Sequence, residues 1–112
     1  MDKTYELMEE LLKFRNDRDW EQFHDTKNLA LAISIEAAEL NELFLWKNNE
    51  ESENIDKTKL KEELADVLIY SLLLTHRHGL NAREIIMEKI KLNSIKYPIE
   101  KSKGNTIKYT DF

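Results

Sequence analysis

Glu36 and Glu39 stand in the middle of residues 28–46, NLALAISIEAAELNELFLW, an apolar run at helical spacing. On an α-helix two such acids project about 60° apart, one turn along the same side. Their helical neighbours are Ala32, Ile33, Leu40 and Leu43. A carboxylate among such residues is costly unless a partner or a metal meets it. Glu63 and Asp66 repeat the arrangement and lead into Val67, Leu68, Ile69 and Tyr70. Two helices, each with two acids at i, i+3, can supply four oxygen ligands to a hard cation such as Mg²⁺. The competing explanation is a solvated acidic face, the common fate of Glu and Asp. Glu62 and Glu63 also lie near an expected helix start, where the helix dipole favours negative charge. That explanation does not extend to Glu36 and Glu39, which are mid-helix.

The elements that must carry these acids are helical. The chain has 112 residues, enough for one domain, with two glycines, one proline and 35% charged residues. Apolar residues recur at helical intervals, so the expected fold is all-α, a four-helix-type bundle. Wide apolar faces on so short a chain predict helix-on-helix assembly into a homodimer or homotetramer. A net charge of −5 argues against a nucleic acid polymer as partner. It permits a phosphate-bearing substrate, because a bound cation reverses the local sign. Cysteine is absent, which excludes a thiol nucleophile and a Cys-based zinc site. With neither an apolar leader nor a membrane-length run, the expectation is a soluble cytoplasmic protein without membrane contact.

Residues 2–16 read as a first helix with Asp2 as N-cap; Tyr5, Met8, Leu11, Leu12 and, less cleanly, Arg15 form one face. The connector 15–28 is charged yet holds Trp20, Phe23 and His24, which either plug the bundle or line a pocket. Asp25 or Thr26 caps the second helix, expected to run to about Trp46. Residues 47–57 read as a polar, exposed loop. Asp56 or Thr58 opens the third long helix and His78-Gly79 closes it. Asn81 and Glu84 resemble a capping box on the fourth, which Pro98 stops. Lys89, Asn93, Lys96 and Tyr97 form a stripe of donors there, either a solvated face or a phosphate cradle. A domain over 1–98 and a polar tail over 99–112 complete the organisation; whether the tail closes over a site is left open. His76 and His78 face different ways and read as surface residues, and neither a nucleophile elbow nor a Gly-rich phosphate loop is present.

RDWEQFH (18–24), KNLALA (27–32), EAAELNELFLWK (36–47), EELADVLIY (62–70), KYP (96–98) and KYTDF at the end span nearly the whole chain in order. Together they resemble the MazG-like all-α nucleotide pyrophosphohydrolases, in particular the small dCTP pyrophosphatase branch. The resemblance implies packed helices in a dimer or dimer of dimers, and Mg²⁺-dependent hydrolysis of a nucleoside triphosphate to the monophosphate and pyrophosphate. By position it implies Glu36, Glu39, Glu63 and Asp66 as metal ligands. It places Trp20 to His24 (Phe23 among them), Trp46 and Tyr70 around the nucleotide, with Asn93 and Lys96 on the polar side. One position departs: Leu11 stands where mammalian members have histidine on the first helix, which leaves the preferred base open.

The parts suit the reaction. Phosphoanhydride hydrolysis needs charge neutralised on phosphate oxygens and a water in line, and Mg²⁺ supplies both. Glu39 is the candidate general base, and Trp20 and Trp46 offer flat surfaces for a base. The favoured function is therefore hydrolysis of dCTP or a related dNTP in nucleotide-pool house-cleaning. Two alternatives stand beside it: the same chemistry on non-standard nucleotides or phosphoribosyl-ATP, and a non-catalytic helical interaction module.

Overall fold

Leu29 and Leu73 are the two apolar side chains that are almost wholly buried, at 1% and 2% exposure among the described residues. They belong to the two helices around which the first part of the chain is built. In the computed structural model, which describes residues 3–112, six α-helices follow in order: α1 (Lys3–Asp17), α2 (Thr26–Glu42), α3 (Asn49–Glu53), α4 (Lys57–Arg77), α5 (Ala82–Lys96) and α6 (Ile99–Ser102). Short 3₁₀ turns form at Glu21–Phe23 and Tyr109–Asp111, and no strand is present among the described residues. The chain divides into two compact units, residues 1–79 and 80–112.

In the first unit α2 lies along α4 in antiparallel sense. The start of α2 is fastened to the end of α4. Thr26 Oγ1 and His78 Nε2 are 2.9 Å apart, and Arg77 donates to the His24 carbonyl at 3.2 Å and to Thr26 Oγ1 at 3.3 Å. Asp25 caps α2 by accepting from the Asn28 N–H at 2.7 Å, and Asp56 caps α4 by accepting from Thr58 N–H at 2.9 Å. α4 ends as expected, at His78 followed by Gly79 in the left-handed conformation that glycine favours.

α1 ends in a Schellman closure that builds part of the site. Asp19 takes φ +54°, its N–H donates to the Asn16 carbonyl, and the Trp20 N–H reaches back to the Arg15 carbonyl at 3.1 Å. The apolar contact typical of this motif is Trp20 against Phe14, edge to face at 5.7 Å. The expected cap Asp2 lies outside the described residues.

Two expectations are corrected. α2 stops at Glu42, short of Trp46. Its hydrogen bonds tighten to i−3 at Leu43, Phe44 and Leu45. Leu43 and Phe44 are half-buried there, while Leu45 and Trp46 are exposed, Trp46 in a left-handed conformation that cannot continue a helix. Residues 47–57 are not merely a loop. Asn48 and Glu51 form a full capping box, with Glu51 N–H to Asn48 Oδ1 at 2.8 Å, and this nucleates α3.

The second unit holds α5, capped by Asn81, which accepts from the Glu84 N–H at 3.0 Å. α5 stops before Pro98, as expected, and Pro98 then opens α6. The tail is folded against the end of α5. Tyr97 meets Tyr109 at 5.6 Å and Phe112 at 5.9 Å, both edge to face, while Lys96 Nζ sits 4.9 Å over the Tyr109 ring.

Candidate active site

The antiparallel α2–α4 pair carries its acids about 20 Å from the fastened end: 13 residues on from Thr26 to Glu39 and 15 back from His78 to Glu63, at 1.5 Å each. Glu36, Glu39 and Glu63 bring one carboxylate oxygen each to within 4.8 Å of one another. Asp66 is not within that distance of all three, yet its charge raises the pKa of both Glu36 and Glu63. Glu36 Oε2 and Glu63 Oε2 are buried without a hydrogen-bond partner. Burial first, then hydrogen bonding and repulsion from Glu39, with the charges of Asp66 and Glu63 behind, push the Glu36 carboxyl up from 4.5 to about 7. Burial and then Glu39 raise Glu63 as well. Orphaned, mutually repelling carboxylate oxygens fit a hard divalent cation, which would give both a ligand and charge balance.

Beside the acids a pocket of about 230 Å³ opens between α1, the connector and α4. Trp20, His24 and Tyr70 form aromatic walls, and Leu11, Phe14 and Arg15 come from α1. Asp66 lines it too, which joins the pocket to the acid cluster. His24 and Tyr70 stand edge to face at 6.0 Å. Burial, and next the charge of Arg15, lower the His24 pKa, so the imidazole is neutral at pH 7, and its Nδ1 is buried with no partner. Burial, followed by the charges of Glu36, Asp66 and Glu39, raises the Tyr70 hydroxyl, which stays protonated.

The sequence-predicted residues thus fall into four groups. Glu36, Glu39 and Glu63 come together with Asp66 beside them, and Trp20, His24 and Tyr70 share the adjoining pocket. Phe23 and Trp46 do not line that pocket; they are 61% and 93% exposed. Trp46, at φ +64°, therefore does not close the bundle end of this chain. Lys89, Asn93 and Lys96 stand exposed on α5 in the second unit. Sequence reasoning overlooked Arg15, which is 8% exposed and faces the pocket. Its one signal was a charged residue on the apolar side of α1.

A family model described as the MazG-like family matches residues 31–112. The dCTP pyrophosphatase 1 of Rattus norvegicus is 40% identical over 104 residues, covering 88% of this chain and 61% of that protein. The Homo sapiens protein of the same name is 38% identical with the same coverage. The chain therefore spans about 61% of the length of the curated relatives it matches. The crystal structure of a pyrophosphatase from Archaeoglobus fulgidus superposes with a TM-score of 0.83 at 40% identity, covering 88% of this chain and 94% of that one. No helix among the described residues is long and apolar enough to cross a membrane. With its all-helical fold and the match extending over most of its length, the chain belongs to the MazG-like family.

Proposed function

We propose that this protein hydrolyses a nucleoside triphosphate, with dCTP or a related dNTP favoured, to the monophosphate and pyrophosphate. The observation that carries this reading is the gathering of Glu36, Glu39 and Glu63 within 4.8 Å, two of them with orphaned buried oxygens, next to an aromatic pocket that shares Asp66. The relatives named for dCTP hydrolysis support the substrate class. Glu36, Glu39, Glu63 and Asp66 would hold Mg²⁺. When bound, the ion neutralises phosphate oxygens and favours attack by water. Of the clustered acids Glu39 is the solvent-exposed one, so its carboxylate can reach a water and take its proton as general base. Trp20, His24 and Tyr70 hold the base between flat faces and exclude water from one side of the nucleotide.

Trp46, exposed at its left-handed turn, is proposed as a further stacking face for the base. Lys89, Asn93 and Lys96 are the proposed polar partners of the phosphates. Assembly of copies is part of the same reading. Leu31 and Ile35 on α2, with Leu64 and Leu68 on α4, leave apolar surface uncovered at 43–59% exposure. The deciding experiment is pyrophosphate release from a panel of nucleotides with Mg²⁺, non-standard nucleotides and phosphoribosyl-ATP included. No release from any of them, from a folded protein, rejects the reading in favour of a helical interaction module. Light scattering at micromolar concentration is expected to give a multiple of 13.3 kDa; a mass equal to the single chain rejects the assembly.

A further inference from the structure

Arg15 is the one charged side chain that is buried among the described residues, and its partners do not account for it. A guanidinium has five N–H donors and no acceptor. Nε donates to Asn16 Oδ1 at 3.0 Å, and the Glu21 carboxylate lies 3.7 Å from Nη2, beyond hydrogen-bond distance. The side chain is nine-tenths buried and lines the pocket that Trp20, His24 and Tyr70 wall. In the same pocket His24 Nδ1 is buried and unpaired. A buried guanidinium with one hydrogen bond and one long ion pair for its five donors, beside an unpaired imidazole nitrogen in one aromatic pocket, suits a flat ligand with a hydrogen-bonding edge. The Schellman closure of α1 makes the arrangement rigid, because the Trp20 N–H is bonded to the Arg15 carbonyl itself.

We propose that Arg15 reads the edge of the nucleotide base, donating to two adjacent acceptors while His24 Nδ1 meets the neighbouring exocyclic group. The assignment rests on the nucleotide reading given above. Its chemistry discriminates. Cytosine offers O2 and N3 side by side as acceptors, with an amino group next to them. Thymine and uracil place an N–H between their two carbonyls, which repels a donor-only guanidinium. Adenine has no adjacent pair of acceptors on that edge, and guanine's adjacent pair, O6 and N7, has no amino group beside it for His24 Nδ1 to accept from. Arg15 is therefore a binding residue that favours cytosine, and the apolar Leu11 beside it leaves the guanidinium as the pocket's source of directional donors on α1.

The test measures kcat and KM with Mg²⁺ for dCTP, dTTP and 3-deaza-dCTP, in which a C–H replaces the N3 acceptor. In the parent, 3-deaza-dCTP is expected to have a KM about tenfold or more above that of dCTP. Arg15→Gln should raise the KM for dCTP by a similar factor, leave dTTP within about twofold, and cost 3-deaza-dCTP little further. Equal losses on dCTP and dTTP would mean that Arg15 only fastens the α1 turn, and would overturn the proposal. If Arg15→Gln does not fold, the parent decides alone: equal KM values for dCTP and 3-deaza-dCTP overturn it. A folded parent that cleaves no nucleotide rejects the hydrolase reading and the base reader with it. An active parent with no preference at N3 rejects the base reader only.

Discussion

Phe14, Trp20, His24 and Tyr70 in the first unit, and Tyr97, Tyr109 and Phe112 in the second, pair edge to face at nearly the same separations. These are 5.7 and 6.0 Å in the first and 5.6 and 5.9 Å in the second. Each cluster also has cations near it. In the second, Lys96 and Lys101 lie over ring faces with their ammonium groups in water, at 4.9 and 5.9 Å. In the first, Arg15 is buried, His24 Nδ1 is unpaired, and acids crowd the next turn of α4. The tail cluster leaves one buried group unpaired, the uncharged hydroxyl of Ser102. Aromatic packing alone therefore says little about function. One unpaired hydroxyl costs a fold little, whereas two unpaired carboxylate oxygens and an imidazole nitrogen gathered in one place are costly and mark the first cluster as the one suited to a ligand.

The contrast can be broken most sharply at the acids. Glu36→Gln or Glu63→Gln is expected to lower turnover by about a hundredfold or more, with helical circular dichroism unchanged, because each change removes a ligand oxygen and no core volume. Near-normal turnover in either variant would return the cluster to surface charge.

Next come the rings. Trp20→Ala should raise the KM by roughly 5- to 100-fold, the range given by ~1–3 kcal/mol of lost stacking. Phe112→Ala should leave the KM within about twofold and lower the melting temperature instead. Steady-state kinetics beside thermal melts of both variants check the pair, and an inverted pattern would exchange the roles of the two clusters.

The acids also predict a pH dependence. The folded pKa of Glu36, about 7, lies above its ordinary value of 4.5. The folded state thus holds the proton more tightly than the unfolded one. Without metal, this group leaves stability highest below pH 4.5 and lowers it as pH rises through about 7. Mg²⁺ must displace that proton, so the rise in melting temperature on adding Mg²⁺ should grow across the same window. A metal-induced shift that is equal at pH 5 and pH 8 would contradict it.

The smallest expected effect is on stability at Trp46. A side chain 93% exposed cannot be core, so Trp46→Ala should change stability by less than ~0.5 kcal/mol, whereas a buried Trp would cost ~3–5 kcal/mol. A raised KM with an unmoved melting temperature would place its indole on the nucleotide.

What the amino-acid order determined by itself was whatever depends on neighbours one turn away. Glu36/Glu39 and Glu63/Asp66 lie at i, i+3 among apolar residues, and Asp25, Asp56 and Asn81 cap α2, α4 and α5 from adjacent positions. The α3 capping box was equally local, Asn48 with Glu51, and was there to be read in a stretch taken for loop. The end of α2 at Glu42 was not legible, because LFLW holds no Gly or Pro and the tightened turn follows from which side chains can be buried. Only tertiary structure decided that Glu63 reaches Glu36 and Glu39, since that needs the antiparallel register set by Arg77 and His78 on the start of α2. It alone decided the fate of Arg15 as well. A charged residue on an apolar helix face can snorkel to water or be sealed in, and Trp20, folded back by a left-handed Asp19, seals it in beside an unpaired imidazole.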